Sequence, residues 1–80
     1  MSARPTAVEA AFTEAGEITP QRFQWQGHWL EVEGLGGRWT EAGQRCIRVA
    51  ALGGMTFELR LDLETLRWSI VEAKSPRPAV

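Results

Sequence analysis

The chain has one cysteine, Cys46, and one histidine, His28, in 80 residues. A single thiol cannot close an internal disulfide, and a secreted domain of this size more often carries several. One thiol and one imidazole do not make a structural zinc site within one chain. As a catalytic pair they would need a third group to orient the imidazole, and no local signature supplies one. Cys46 is therefore read as a packed residue and His28 as a turn-flanking one. No catalytic residue, metal ligand or cofactor-binding residue is assigned, and the chain is not expected to be an enzyme. Long apolar runs are missing as well. None approaches the roughly 18–20 residues of a membrane helix, and the N-terminus lacks the charged start and apolar stretch of a signal peptide. The expectation is a cytoplasmic protein with no membrane partner. A strong net charge is also absent, with 9 Lys and Arg against 10 Asp and Glu. That balance does not suggest a generally nucleic-acid-seeking surface.

What is present is β-forming sequence in short runs. Eighty residues suffice for one domain and bury only about 60–65% of their unfolded surface. Residues 1–5 read as a loose N-terminus, 6–73 as a single β domain, and 74–80, with two prolines, as a flexible tail. Glycine-rich breaks at Gly27, Gly34 to Gly37, Gly43 and Gly53-Gly54 recur about every ten residues, the rhythm of an antiparallel meander. Gly34-Leu-Gly-Gly37 lacks the spacing and the following helix of a phosphate-binding loop and reads as a turn.

Register follows from the rule that opposite residues of a hairpin share a face. A two-residue Gln26-Gly27 turn sets Trp25 opposite His28, Phe23 opposite Leu30 and Gln21 opposite Val32. A turn across Asp62 to Arg67 sets Leu61 opposite Trp68 and Leu59 opposite Ile70. A two-residue Gly53-Gly54 turn would place Arg48 among apolar residues. A three-residue Leu52-Gly53-Gly54 loop instead sets Val49 opposite Phe57 and Ile47 opposite Leu59, which keeps the apolar face intact. Arg48, Glu58 and Arg60 then share the outer face, where cross-strand charge pairing accounts for them. In the last turn Asp62 and Thr65 suit hydrogen bonds to the loop backbone, and Leu66 is expected in the left-handed region that glycine prefers. The segment Thr6 to Gly16 stays ambiguous. Thr6 with Glu9 resembles a capping box and Val8, Ala11, Phe12 and Ala15 have helical spacing, yet Val8, Ala10 and Phe12 also fit one face of a strand.

Four tryptophans are many for this length. Trp25, Trp39 and Trp68 fit core positions. Trp29 does not, because the Gln26-Gly27 register turns it away from Phe23 and Leu30. Glu31 and Glu33 alternate with it on the same side, so Trp29, Glu31 and Glu33 are the candidate interaction residues. Glu31, Glu33 and Glu41 are otherwise explained by solvation of the surface. An exposed indole suits a protein contact or a stacked base. Acidic neighbours repel phosphate and favour the protein contact.

The order Pro20, Phe23-x-Trp25-x-Gly27, Val32, Arg38-Trp39-x-Glu41, Arg48-Val49, Phe57-Glu58-Leu59, Asp62 and Trp68 resembles a small bacterial domain-of-unknown-function family. That family carries F-x-W-R-G-R-x-Y-x-V, then R-W-x-E, R-V, F-x-L and D-x-x-T-x-x-W. The resemblance covers about Val8 to Glu72. It implies a strand around Val8 to Phe12 and a link to DNA damage tolerance, since some members are encoded near genes for error-prone polymerase accessory proteins. It carries over no catalytic residue. Gln26 and His28 stand where members often have arginine, and Ala42-Gly43 replaces a longer, tryptophan-bearing segment. Both departures remove basic or aromatic surface.

The expected fold is mostly β: a five- to six-stranded antiparallel meander, forming a curled sheet or small open barrel. The expected function is a non-enzymatic protein-interaction or self-associating module, with a protein partner or homodimer. The alternative is a nucleic-acid-binding accessory domain.

Overall fold

The computed structural model describes residues 4–72. These form β1 (Arg4–Pro5), β2 (Val8–Phe12), β3 (Ile18–Trp25), β4 (His28–Glu31), β5 (Gly34–Glu41), β6 (Gln44–Ala51), β7 (Met55–Asp62) and β8 (Trp68–Glu72). No helix among them is long and apolar enough to cross a membrane. Every pairing is antiparallel. The strands form a five-stranded sheet ordered β1-β8-β7-β6-β5 and a three-stranded sheet ordered β2-β3-β4, not closed into a barrel. The meander is thus present, with two of its runs shared between sheets. The run through β1 and β2 pairs first with β8 and then with β3. The run through β4 and β5 pairs first with β3 and then with β6.

The turns set the registers as their lengths require. Gln26 and Gly27 both have positive φ, at 51° and 81°, as a two-residue hairpin turn needs. Phe23 faces Leu30 and Trp25 faces His28. Across the loop Leu52-Gly53-Gly54, Val49 faces Phe57 and Ile47 faces Leu59, and beyond it Leu59 faces Ile70 and Leu61 faces Trp68. Ile47, Val49, Phe57, Leu59, Leu61 and Ile70 form the core with Phe23 and Ile18, and Trp25 and Trp68 pack against it half-buried. The two sheets meet through aromatic rings. The Phe57 ring lies 5.0 Å from Phe23 and 5.1 Å from Trp25, edge to face in both pairs, an arrangement that suits the quadrupoles of the rings. On the opposite face of the larger sheet, Glu58 is paired with Arg48 at 3.7 Å and with Arg60.

Val8–Phe12 is a strand, and Val8 and Ala10 pack against the core. Local helical signals give way here to pairing with β3, which satisfies the backbone along the segment. A bulge in this pair sets Glu9 opposite Arg22 but Ala10 opposite Pro20, so Gln21 is the extra residue. Strict alternation would send Gln21 inward beside Phe23. The bulge leaves Gln21 exposed and buries Pro20 and Ile18. Phe12, at the end of the strand, is 68% exposed.

Three expectations are corrected. Arg4 and Pro5 do not belong to a loose start: they form an edge strand opposite Ile70 and Ser69, a position where proline's missing N–H costs little. Residues 1–3 and the expected tail at 74–80 lie outside the described residues. Gly34 to Gly37 is not a turn but the start of β5, with a bulge between Leu35 and Arg38. That extra residue reverses the alternation. Trp39 consequently leaves the core side and stands opposite Cys46 on the outer face, while Arg38 stands opposite Ile47. There the Trp39 indole donates to Glu41 at 3.0 Å and lies 5.3 Å from the Arg48 guanidinium.

Candidate functional site

The solvent face of the β2-β3-β4 sheet carries the site. The Gln26-Gly27 turn sets Trp29 opposite Gln24 and Glu31 opposite Arg22. The β2 pairing adds Glu9 on the far side of Arg22. Trp29 is 41% exposed although it is one of the largest apolar side chains in the chain. The Arg22 guanidinium lies 4.8 Å from the centre of its ring. Arg22 is held by Glu9 through a forked pair of bonds, Nε to Oε1 at 2.7 Å and Nη2 to Oε2 at 2.8 Å. The bonds to Arg22 hold the Glu9 carboxyl below the usual carboxylate range, and the same bonds raise Arg22 further. The result is a row of indole, guanidinium and carboxylate across three strands. The fork fixes the guanidinium in one orientation, so the aromatic surface is presented against a rigid neighbour.

Trp29 and Glu31 are on one face, as the hairpin register requires. Glu33 is elsewhere. Its N–H donates to the Ala50 carbonyl at 2.7 Å, and its carboxylate accepts the Gly53 N–H at 3.1 and 3.3 Å. It therefore braces the β6–β7 loop and is not part of the Trp29 row. Arg22 and Glu9 were not singled out from sequence. Arg22 is legible in the Gln26-Gly27 hairpin register, opposite Glu31, whereas Glu9 requires the β2–β3 register, which the bulge at Gln21 hides.

The remaining chemistry-bearing residues are dispersed. Cys46 is fully buried between Trp39 and Arg60 on the neighbouring strands. Burial raises its thiol above the ordinary value, with Arg60 opposing in part, so little nucleophilic thiolate is present at neutral pH. His28 is exposed beside the Gln26-Gly27 turn. Among the described residues no three His, Cys, Asp or Glu side chains gather to hold a metal. Beside the Trp29 row, where β3 and β5 diverge, lies an open groove of about 720 Å³ that shares Glu9, Arg22 and Glu31 with it.

Fold and site together define a small two-sheet antiparallel β domain bearing an exposed, cation-braced tryptophan. No family model matches the chain, and no curated protein or solved structure matches it either.

Proposed function

We propose that this protein is a non-enzymatic protein-interaction module whose contact surface is the solvent face of β2-β3-β4, centred on Trp29. The observation that carries this is the exposure of Trp29 on the outer face of the sheet beside the Arg22–Glu9 pair. Exposed tryptophan and arginine are the residue types most enriched at the energetic centres of protein contacts. The Trp29 ring is the apolar anchor of this face, and self-association is the form of this function the chain alone can display. A nucleic-acid platform is the weaker reading. It is carried by the resemblance to a family associated with DNA damage tolerance, but Glu9 and Glu31 offset the charge of Arg22 and leave no net attraction for phosphate.

Sedimentation equilibrium tests the proposal. The wild-type chain should self-associate, and Trp29→Ala should weaken association at least tenfold while far-UV circular dichroism and the melting curve stay close to wild type. Equal association by the variant would remove Trp29 from the contact. Salt-sensitive quenching of Trp29 fluorescence by single-stranded DNA would replace this reading with the nucleic-acid one.

A further inference from the structure

Strand β3 is longer than its cover. β4 pairs with it from Arg22 to Trp25, and one further bond joins the Val32 N–H to the Gln21 carbonyl. Glu33 then turns away to bond Ala50, and among the described residues β5 pairs with β6 alone. The edges of β3 at Ile18 to Pro20 and of β5 at Gly34 to Arg38 therefore separate. Pro20 has no N–H to offer across the gap. The Arg38 guanidinium spans it at one end by donating to the Ile18 carbonyl. The groove between them is floored by Pro20, Val32 and Leu35 and bordered by Glu31 and Glu33. Leu35 is 45% exposed there. Of the guanidiniums at the groove, that of Arg22 is held by Glu9 and that of Arg38 by the Ile18 carbonyl, and the carboxylates of Glu9, Glu31 and Glu33 outnumber them, so the groove is acidic overall.

We propose that this groove takes an extended segment of another protein, with Lys or Arg alternating with apolar residues, added as a strand along the free edge of β5. The proposal rests on the protein-interaction reading and names its partner class. A strand projects successive side chains to opposite faces. One row then meets the apolar floor at Val32 and Leu35, and the other brings cations to Glu31 and Glu33. The backbone of the segment pairs with the unpaired N–H and C=O groups of the edge, the general mode of strand addition. Charge decides the partner: a cationic segment complements the groove, whereas an acidic segment or a phosphate backbone is repelled.

The probe is a fluorescein-labelled hexapeptide, Arg-Val-Arg-Val-Arg-Val, titrated with the full chain and read by fluorescence anisotropy. Saturable binding is expected, with at least tenfold weaker binding by the double variant Glu31→Gln, Glu33→Gln. Glutamine at position 33 keeps an acceptor for Gly53, so the loop stays braced. Glu64→Gln, a carboxylate in the distant last turn, should bind as the wild type does. Methylating alternate peptide nitrogens, which removes donors and keeps charge, should also weaken binding at least tenfold. Several results would overturn the proposal: no saturation, equal binding by the double variant, or equal binding of the methylated peptide, which would mean charge attraction alone. Sedimentation that places a second copy in the groove, by loss of self-association in the double variant without peptide binding, would overturn it too. If self-association through Trp29 is seen and the peptide does not bind, the groove proposal fails and the protein-interaction reading stands. If neither is seen, both fail.

Discussion

At the scale of the residue, several positions adopt backbone conformations that their side chains disfavour. Gln26, Ala42, Leu52 and Leu66 all have positive φ, Leu66 at 60°. The Leu66 N–H donates to the Asp62 carbonyl at 2.7 Å and closes the last turn, while its side chain is 69% exposed. An L-residue in this region costs about 1 kcal/mol, and glycine avoids the cost at some loss of unfolded-state rigidity. Leu66→Gly should therefore raise the melting temperature or leave it unchanged. A clear fall would show that the leucine side chain makes a stabilising contact. In the same turn Asp62 Oδ1 accepts the N–H groups of Glu64 at 2.8 Å and Thr65 at 3.0 Å. The Thr65 and Glu64 bonds hold the Asp62 carboxyl below its ordinary value. A carboxyl lowered on folding stabilises the folded state above its unfolded pKa and ceases to do so as pH falls through the folded one. Glu9, lowered by Arg22, acts in the same sense. Stability should thus decline as pH falls below about 4, near the unfolded carboxyl value. Asp62→Ala should melt below wild type at pH 7 and converge with it toward pH 2. A gap of constant size across that range would mean that the Asp62 charge is irrelevant to the turn.

At the scale of the element, the β5 bulge decides which side chains reach which face. A Cβ added at Gly36 would lie 3.3 Å from the Arg48 Cβ and 3.5 Å from its carbonyl oxygen, whereas one at Gly37 meets nothing within 4 Å. Neither has positive φ. Gly37→Ala should stabilise by about 0.4–1 kcal/mol through the unfolded chain. Gly36→Ala should melt lower than Gly37→Ala, because the adjacent strand must give way. The reverse order would place the extra residue of the bulge elsewhere. These two glycines also show why part of the fold was legible and part was not. The three hairpin registers follow from loop length and from keeping apolar residues on one face, so Ile47, Val49, Phe57 and Leu59 were readable. A bulge made of glycines carries no side chain to reveal the slip, and alternation counted through it sends Trp39 the wrong way. A signal existed nearby. Taken as a two-residue turn, Ala42-Gly43 sets Trp39 opposite Cys46 and Arg38 opposite Ile47, which forces Trp39 outward once Ile47 is inward. At the site, Trp29 was readable from a single tight turn. The same turn places Arg22 opposite Glu31, but Glu9 depends on pairing across a bulge with a segment whose local signals are helical. Glu33 was misplaced because the chain changes sheets there, and alternation does not continue through a bend.

At the scale of the whole molecule, two sheets share one set of interior contacts. Phe23 from the smaller sheet is fully buried and lies against Phe57 from the larger. Two bent runs carry the backbone from one sheet to the other. A three-stranded sheet with so few residues has little stability of its own, so it depends on the face it lends to the core. The domain should therefore unfold as one cooperative unit. Its total stability, at roughly 0.05–0.15 kcal/mol per residue, is on the order of 4–12 kcal/mol. Removing a fully buried phenylalanine side chain costs about 3–5 kcal/mol, a large part of that total. Amide hydrogen exchange on Phe23→Ala makes the test specific. If the core is shared, protection should fall by the same free energy in β3 and in β6 and β7, although Phe23 belongs only to β3. If the larger sheet held its own core, its amides would keep wild-type protection while those of β3 and β4 exchanged freely. That outcome would divide the molecule into two separately stable layers, and the Trp29 face would then be a detachable element, not a surface held in place by the whole domain.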